Sequence, residues 1–176
     1  MQKETIYYDD EQQLISKHRQ WVDNRFDEEK GYTFWNQKHG SKQFSDVPFP
    51  DDMTDAEIGK LTRLAKCIYK DSNMLAYRGN GGVKPHTLKT MAKELKITDR
   101  QAERFIKKMI KLEVMAKGKF EIGNTVEVHY FISPVYFFSG KRVNNTLYVL
   151  FRNQLDKVLP GWVRNRFVEQ NSSIIN

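Results

Sequence analysis

Within the stretch KITDRQAERFIKKMIK, Lys96 to Lys111, five cationic side chains after the opening Lys96, namely Arg100, Arg104, Lys107, Lys108 and Lys111, stand among apolar residues at helical spacing. At about 100° per residue, Ala102, Phe105, Ile106, Met109 and Ile110 gather on one side. Arg100, Arg104, Lys107 and Lys111 fall opposite, with Lys108 beside them. The chemistry open to such a face is recognition of a polyanion. A guanidinium forks onto guanine O6 and N7 and an ammonium neutralises phosphate, so Arg100 and Arg104 suit base edges while Lys107, Lys108 and Lys111 suit the backbone. Gln101 can pair with adenine or cap the helix from Thr98, and the Thr98-to-Gln101 spacing is that of a capping box, which makes capping the expected use. Glu103 can accept from cytosine, but it precedes Lys107 by four residues, the spacing of an intrahelical ion pair. Taken alone, this helix is equally a solvated surface; its neighbours separate the two readings.

The chain of 176 residues carries a formal net charge of +7. Residues 1–60 hold eight Lys/Arg against thirteen Asp/Glu, a balance of −5, whereas residues 84–119 hold eleven against four, a balance of +7. The positive charge is therefore concentrated around the basic helix. Lys89, Lys93 and Lys96 precede it and Lys117 and Lys119 follow it. A continuous positive surface of this kind is what phosphate binding requires.

Other chemistries lack their residues. His18, His39, His86 and His129 have no ligand spacing to one another or to Cys67, so no metal site and no cofactor is expected. The single cysteine sits in an apolar-periodic run and reads as core rather than nucleophile; it excludes an intrachain disulfide and points to a reducing compartment. YRGNGGVKP has glycines and a lysine without the spacing of a phosphate-binding loop, and reads as a turn. The His-hydrophobe-His cluster of a rolling-circle nickase is absent, and no enzyme activity is expected. Tyr136, Phe137 and Phe138 read as core packing. No apolar run approaches the ~20 residues of a membrane span, and the acidic start lacks a secretion-signal layout, so a cytoplasmic protein is expected.

Several elements must position the basic face. Thr54 with Glu57 is a capping box ahead of Ile58, Leu61, Leu64, Ala65, Ile68 and Tyr69, predicting a helix over about 54–70. Pro85 and Thr87 open a second helix, with Leu88, Met91, Ala92 and Leu95 as its buried stripe, ending near Lys96. The basic helix starts a few residues later, giving helix-turn-helix order. VMAKGKFEIGNTVEVHYFIS alternates about Gly123-Asn124 and predicts a hairpin. In the N-terminal part, ETIYYDDEQQLIS reads as a hairpin, although the overlapping QQLISKHRQWVDNRF also admits a helix, and YTFWNQKHGSKQF reads as a second hairpin. Asn145 as N-cap, Leu147, Leu150, Phe151, Leu155 and Val158 as a stripe and Pro160 as stop predict a C-terminal helix over about 146–158; the residues after it are expected to fray.

The segments DDMTDAEIGKLTRLAKCIYKDSNML, TLKTMAKELKITDRQAERFIKKMIKLEV and YFISPVYFFSGKRVNNTLYVLF together resemble a group of winged-helix proteins from phages and plasmids of Gram-positive bacteria, related to RepL-type plasmid replication proteins and MarR-like regulators. The resemblance covers roughly residues 50–152. It implies a module that binds double-stranded DNA in the bacterial cytoplasm, regulating transcription or replication. The resulting expectation is an α+β chain: an N-terminal extension (1–50), a winged helix-turn-helix domain (51–140), a C-terminal helix serving a homodimer (141–160) and a flexible tail (161–176). Its DNA-binding residues are Thr98, Arg100, Gln101, Arg104, Lys107, Lys108, Lys111, Lys89, Lys117 and Lys119. The alternative is an interaction module whose acidic extension engages a host replication or transcription protein.

Overall fold

The computed structural model describes residues 2–8, 14–21, 26–33, 42–43, 47–123 and 125–172. It is a mixed α+β fold of six helices and small antiparallel sheets. Strands β1 (Gln2–Tyr8) and β2 (Leu14–Trp21) pair as a hairpin, which decides between the two readings of that segment. Most of the second expected hairpin, residues 34–41, lies outside the described residues, and its described ends pair elsewhere. Strand β4 (Gly31–Thr33) instead pairs with β3 (Phe26–Asp27) and with β11 (Arg142–Val143), while β5 (Lys42–Gln43) pairs with β10 (Phe137–Phe138). The turn expected at 39–41 lies outside the described residues. Gly31 is obligatory in this arrangement: φ is +76°, and a Cβ would lie 2.2 Å from the Val143 carbonyl oxygen. Part of the expected 1–50 extension is therefore woven into the sheets of the C-terminal half.

Helix α1 (Asp55–Ala65) begins on its capping box: Thr54 N donates to Glu57 Oε2 at 2.9 Å, and Glu57 N returns to Thr54 Oγ1 at 3.3 Å. It ends short of the expected residue 70 because the chain is pulled into a turn with Asp71 and Asn73 at positive φ. Buried Asn73 donates from Nδ2 to the carbonyls of Ile132 (2.9 Å) and Phe137 (2.6 Å) and accepts from Ser139 N (3.2 Å). Next come the hairpin of β6 (Ala76–Gly79) and β7 (Gly82–Pro85), then α2 (Leu88–Leu95), α3 (Asp99–Lys111) and the hairpin of β8 (Met115–Ile122) and β9 (Thr125–Ile132). Leu75 N donates to the Tyr130 carbonyl at 2.8 Å and Met74 bridges to Phe131, so the strand after α1 lies along β9.

Two apolar clusters result. The first joins α1, α2 and α3 to one face of the β8–β9 hairpin, through residues such as Leu61, Leu64, Met91, Phe105, Met109, Met115 and Ile132. The second sits on the hairpin's other face, where Phe131 packs with Tyr32, Phe138, Val143 and the C-terminal helices. Those helices correct the expectation. Phe151, at φ −126° and ψ 28°, splits the expected 146–158 helix into α4 (Asn145–Leu150) and α5 (Arg152–Val158). Pro160 starts α6 (Gly161–Ser172), its carbonyl accepting from Val163 and Arg164; proline is tolerated there because the first turn needs no N–H from it. Val163 and Phe167 of the expected flexible tail are fully buried, Phe167 stacking on Tyr148 (4.2 Å between centroids) and meeting Phe26 edge-on. Of the expected stripe, Leu147, Phe151 and Leu155 are covered within the chain itself, whereas Val158 is exposed and Leu150 partly so.

Candidate nucleic-acid interface

Helix α3 is set by strong local signals. Its N-cap, Thr98, accepts from Gln101 N at 3.3 Å, while Gln101 Oε1 accepts from Thr98 N at 3.0 Å and from Thr98 Oγ1 at 3.1 Å. Gln101 is thereby occupied as a cap and drops out of the base-reading set. Lys96, in the left-handed conformation at φ 55°, ends α2 and leaves only Ile97 and Thr98 before α3 begins. Ala102, Phe105, Ile106 and Met109 are buried. Arg100, Arg104, Lys107 and Lys111 are exposed on the opposite side, as the helical period requires.

Both flanks of this face are occupied. On one side stands α1: Lys108 Nζ donates to Glu57 Oε2 at 2.8 Å, and Lys60 Nζ lies 5.7 Å from the centre of the Phe105 ring. Glu57 is already held by Thr54, so Lys108 closes a charged knot across two helices rather than projecting from the face. The Lys108 bond, followed by the Thr54 amide, keeps the Glu57 carboxyl below its ordinary range. Lys108 was expected to contact phosphate; its partner 51 residues earlier turns it aside. Glu103 pairs with Lys107 at 2.8 Å, as its spacing predicts; both are largely exposed, so the pair is weak and yields readily to a phosphate. Arg100, Arg104 and Lys111 have no ion pair or hydrogen bond among the described residues.

On the other flank stands the β8–β9 hairpin. Tyr130 lies close enough to Glu103 that burial first, and that charge second, push its phenol above the ordinary value. Lys117 and Lys119 follow buried Met115 at alternate positions on β8, opposite Tyr130 and Val128, so they continue outward along the face turned toward α3. Lys89 and Lys93 are exposed on α2. The surviving candidate set is thus Arg100, Arg104, Lys107 and Lys111 on α3, Lys117 and Lys119 on β8 and Lys89 on α2, with Thr98 and Gln101 in a positioning role. Sequence reasoning missed Lys84 of the β6–β7 hairpin, which lines the same groove as Lys117; its signal was the NGG turn flanked by Tyr77 and Val83.

Other reactive side chains are engaged in structure. Cys67 is half-buried, and burial followed by the Glu94 charge raises its thiol above the ordinary value, keeping it protonated. Among the described residues no group of three or more His, Cys, Asp or Glu is arranged to hold a metal ion, and no helix is long and apolar enough to cross a membrane. No family model matches the chain, and no curated protein or solved structure shows significant similarity to it.

Proposed function

We propose that this chain binds double-stranded DNA through a winged helix-turn-helix and regulates transcription or replication, as proteins of phages and plasmids do. The order α1, strand along β9, α2, α3, β8–β9 hairpin supports the reading, with α3 as the helix entering the major groove and the hairpin as the wing. The observation that carries it is the exposed face of α3. Arg100, Arg104 and Lys111 lie there without an ion pair or hydrogen bond among the described residues, and lysines from two further elements extend the same surface. Arg100 and Arg104 lie in the N-terminal half of α3, the half that reaches base edges. One such helix covers few base pairs, so a specific site is read by two copies about one helical turn apart. Because Leu147, Phe151 and Leu155 of the C-terminal stripe are internal, only its more open members, Leu150 and Val158, remain for such a contact.

Fluorescence anisotropy on random-sequence duplexes at 50 and 200 mM salt, followed by selection from a random pool, tests the proposal. A steep loss of affinity with salt and an enriched motif are expected. Salt-insensitive binding, or no enrichment, would overturn it.

A further inference from the structure

A groove of about 800 Å³ opens between the β6–β7 hairpin, the start of α2 and the β8–β9 hairpin. Its walls are mainly apolar, with Val83, Pro85 and Leu88 on one side and Val128 and Tyr130 on the other, and Tyr77 at the rim. Its charges are asymmetric. Lys84 enters from β7 and Lys117 from β8, both exposed and neither ion-paired among the described residues. The only carboxylate in the lining, Glu127, is turned to His129, with 2.9 Å between Oε2 and Nε2. The first turn of α2, which begins on the lining residue Thr87, has no acidic side chain to offset its positive end. Burial keeps the Tyr130 phenol protonated and able to donate.

The dimensions match those of sites for small organic ligands, about 300–1,000 Å³. Apolar walls with two lysines in the same lining favour an organic anion over a bare inorganic one, which gains nothing from the walls. They equally disfavour an organic cation. We infer that the groove between the β6–β7 and β8–β9 hairpins is a binding site for a small organic anion: an aromatic or branched apolar body bearing one carboxylate, sulfonate or phosphate held between Lys84 and Lys117. Its body lies against Val83, Leu88 and Val128. Because the walls come from two separate hairpins, an occupant ties the β8–β9 hairpin to the β6–β7 hairpin and to α2. This inference rests on the groove alone and stands or falls independently of DNA binding.

The test uses the full chain without DNA and two probes of one shape, 1-anilinonaphthalene-8-sulfonate and its uncharged analogue N-phenyl-1-naphthylamine. The sulfonate is expected to bind one saturable site and to slow amide exchange within 82–88 and 117–130. Lys84→Ala with Lys117→Ala should weaken the sulfonate at least tenfold and leave the neutral probe within twofold, since only the former loses charge-assisted bonds. Val83→Arg, at an exposed strand position, should block both probes. Equal sulfonate affinity in the double variant, protection located elsewhere, or binding to many equivalent sites would each overturn the inference.

Discussion

Lys108 and Lys111 stand three residues apart on α3 and are alike in sequence, yet the structure gives them different work. Lys108 is bonded to Glu57 at 2.8 Å, with side chains 38% and 17% exposed, while Lys111 is exposed and unpaired among the described residues. Replacing each by Met keeps the aliphatic stem and removes the charge. In Lys108→Met the ion pair is lost but Glu57 keeps its Thr54 bonds; with the lysine more than one-third exposed, solvent screening limits the loss to about 0.5–1 kcal/mol. Lys111→Met should change stability by less than about 0.5 kcal/mol.

On DNA the order reverses. If Lys89, Lys107, Lys111, Lys117 and Lys119 each neutralise one phosphate, the logarithmic salt slope is about −4.5, and affinity falls roughly 500-fold between 50 and 200 mM salt. Lys111→Met should reduce the slope by about one unit, while Lys108→Met should leave it unchanged because Glu57 already neutralises that ammonium. A pH titration of unfolding adds a third readout. Glu57 has a depressed carboxyl in the folded state, so it contributes stability above its ordinary pKa of 4.5 and loses it as pH falls through the folded value. Lys108→Met should flatten that acidic decline. Urea unfolding and anisotropy at five salt concentrations measure all three. A one-unit loss of slope in Lys108→Met, or none in Lys111→Met, would refute the division of roles.

Asn73→Ala should cost several kcal/mol in urea unfolding, because it orphans the Ile132 and Phe137 carbonyls and the Ser139 amide at about 1–3 kcal/mol each and places a Cβ-bearing, non-Asn residue at φ 53°; a loss under about 1 kcal/mol would contradict the account. Phe167→Ala should lose about 3–5 kcal/mol, and an unchanged midpoint would show that α6 is not packed as described. His86 Nδ1 lies 3.0 Å from Thr90 Oγ1, and its Nε2 is buried without a hydrogen-bond partner among the described residues. Burial lowers its pKa, so the unfolded state takes up the proton first, and stability should fall as pH drops from about 6.5 toward the folded value; His86→Asn should lack that step in a thermal-shift series.

What the sequence makes legible here is local physics. The capping boxes at Thr54 and Thr98 and the four-residue Glu103–Lys107 spacing each lie within a few residues, and each is present in the structure; β8 and β9 pair as expected, but Tyr130, Phe131 and Ile132 are all buried where alternation would expose one face. What it hides depends on distant partners. Nothing near Lys108 announces Glu57, and nothing near Asn73 announces carbonyls 59 and 64 residues away. Strands β3, β4, β5, β10 and β11 have two or three residues each, too short to show a period of two. Helix α6 escaped because the residues it buries deepest, Val163 and Phe167, are set in a charged sequence, and because Pro160 signals a stop as readily as a start.

The hidden part bears directly on the candidate interface, because the β8–β9 hairpin has a different core on each face. Met115, Tyr130 and Ile132 belong to the cluster shared with α3, whereas Phe131, with Ala116 and Phe120 against it, belongs to the cluster built by β4, α4, α5 and α6. The angle between α3 and the lysines of β8 is therefore fixed from both sides. Asn73 couples the two supports, since one side-chain amide bonds Ile132 at the end of β9 and Phe137 in β10. The C-terminal helices are then the backing of the hairpin rather than an appendage to a finished domain. A change that loosens α6 against Tyr148 and Phe26 loosens the placement of Lys117 and Lys119 while leaving α3, anchored by α1 and its own cap, in position. If the chain binds DNA as proposed, damage to the C-terminal core should therefore remove the hairpin's share of phosphate contacts before it disturbs base reading by Arg100 and Arg104.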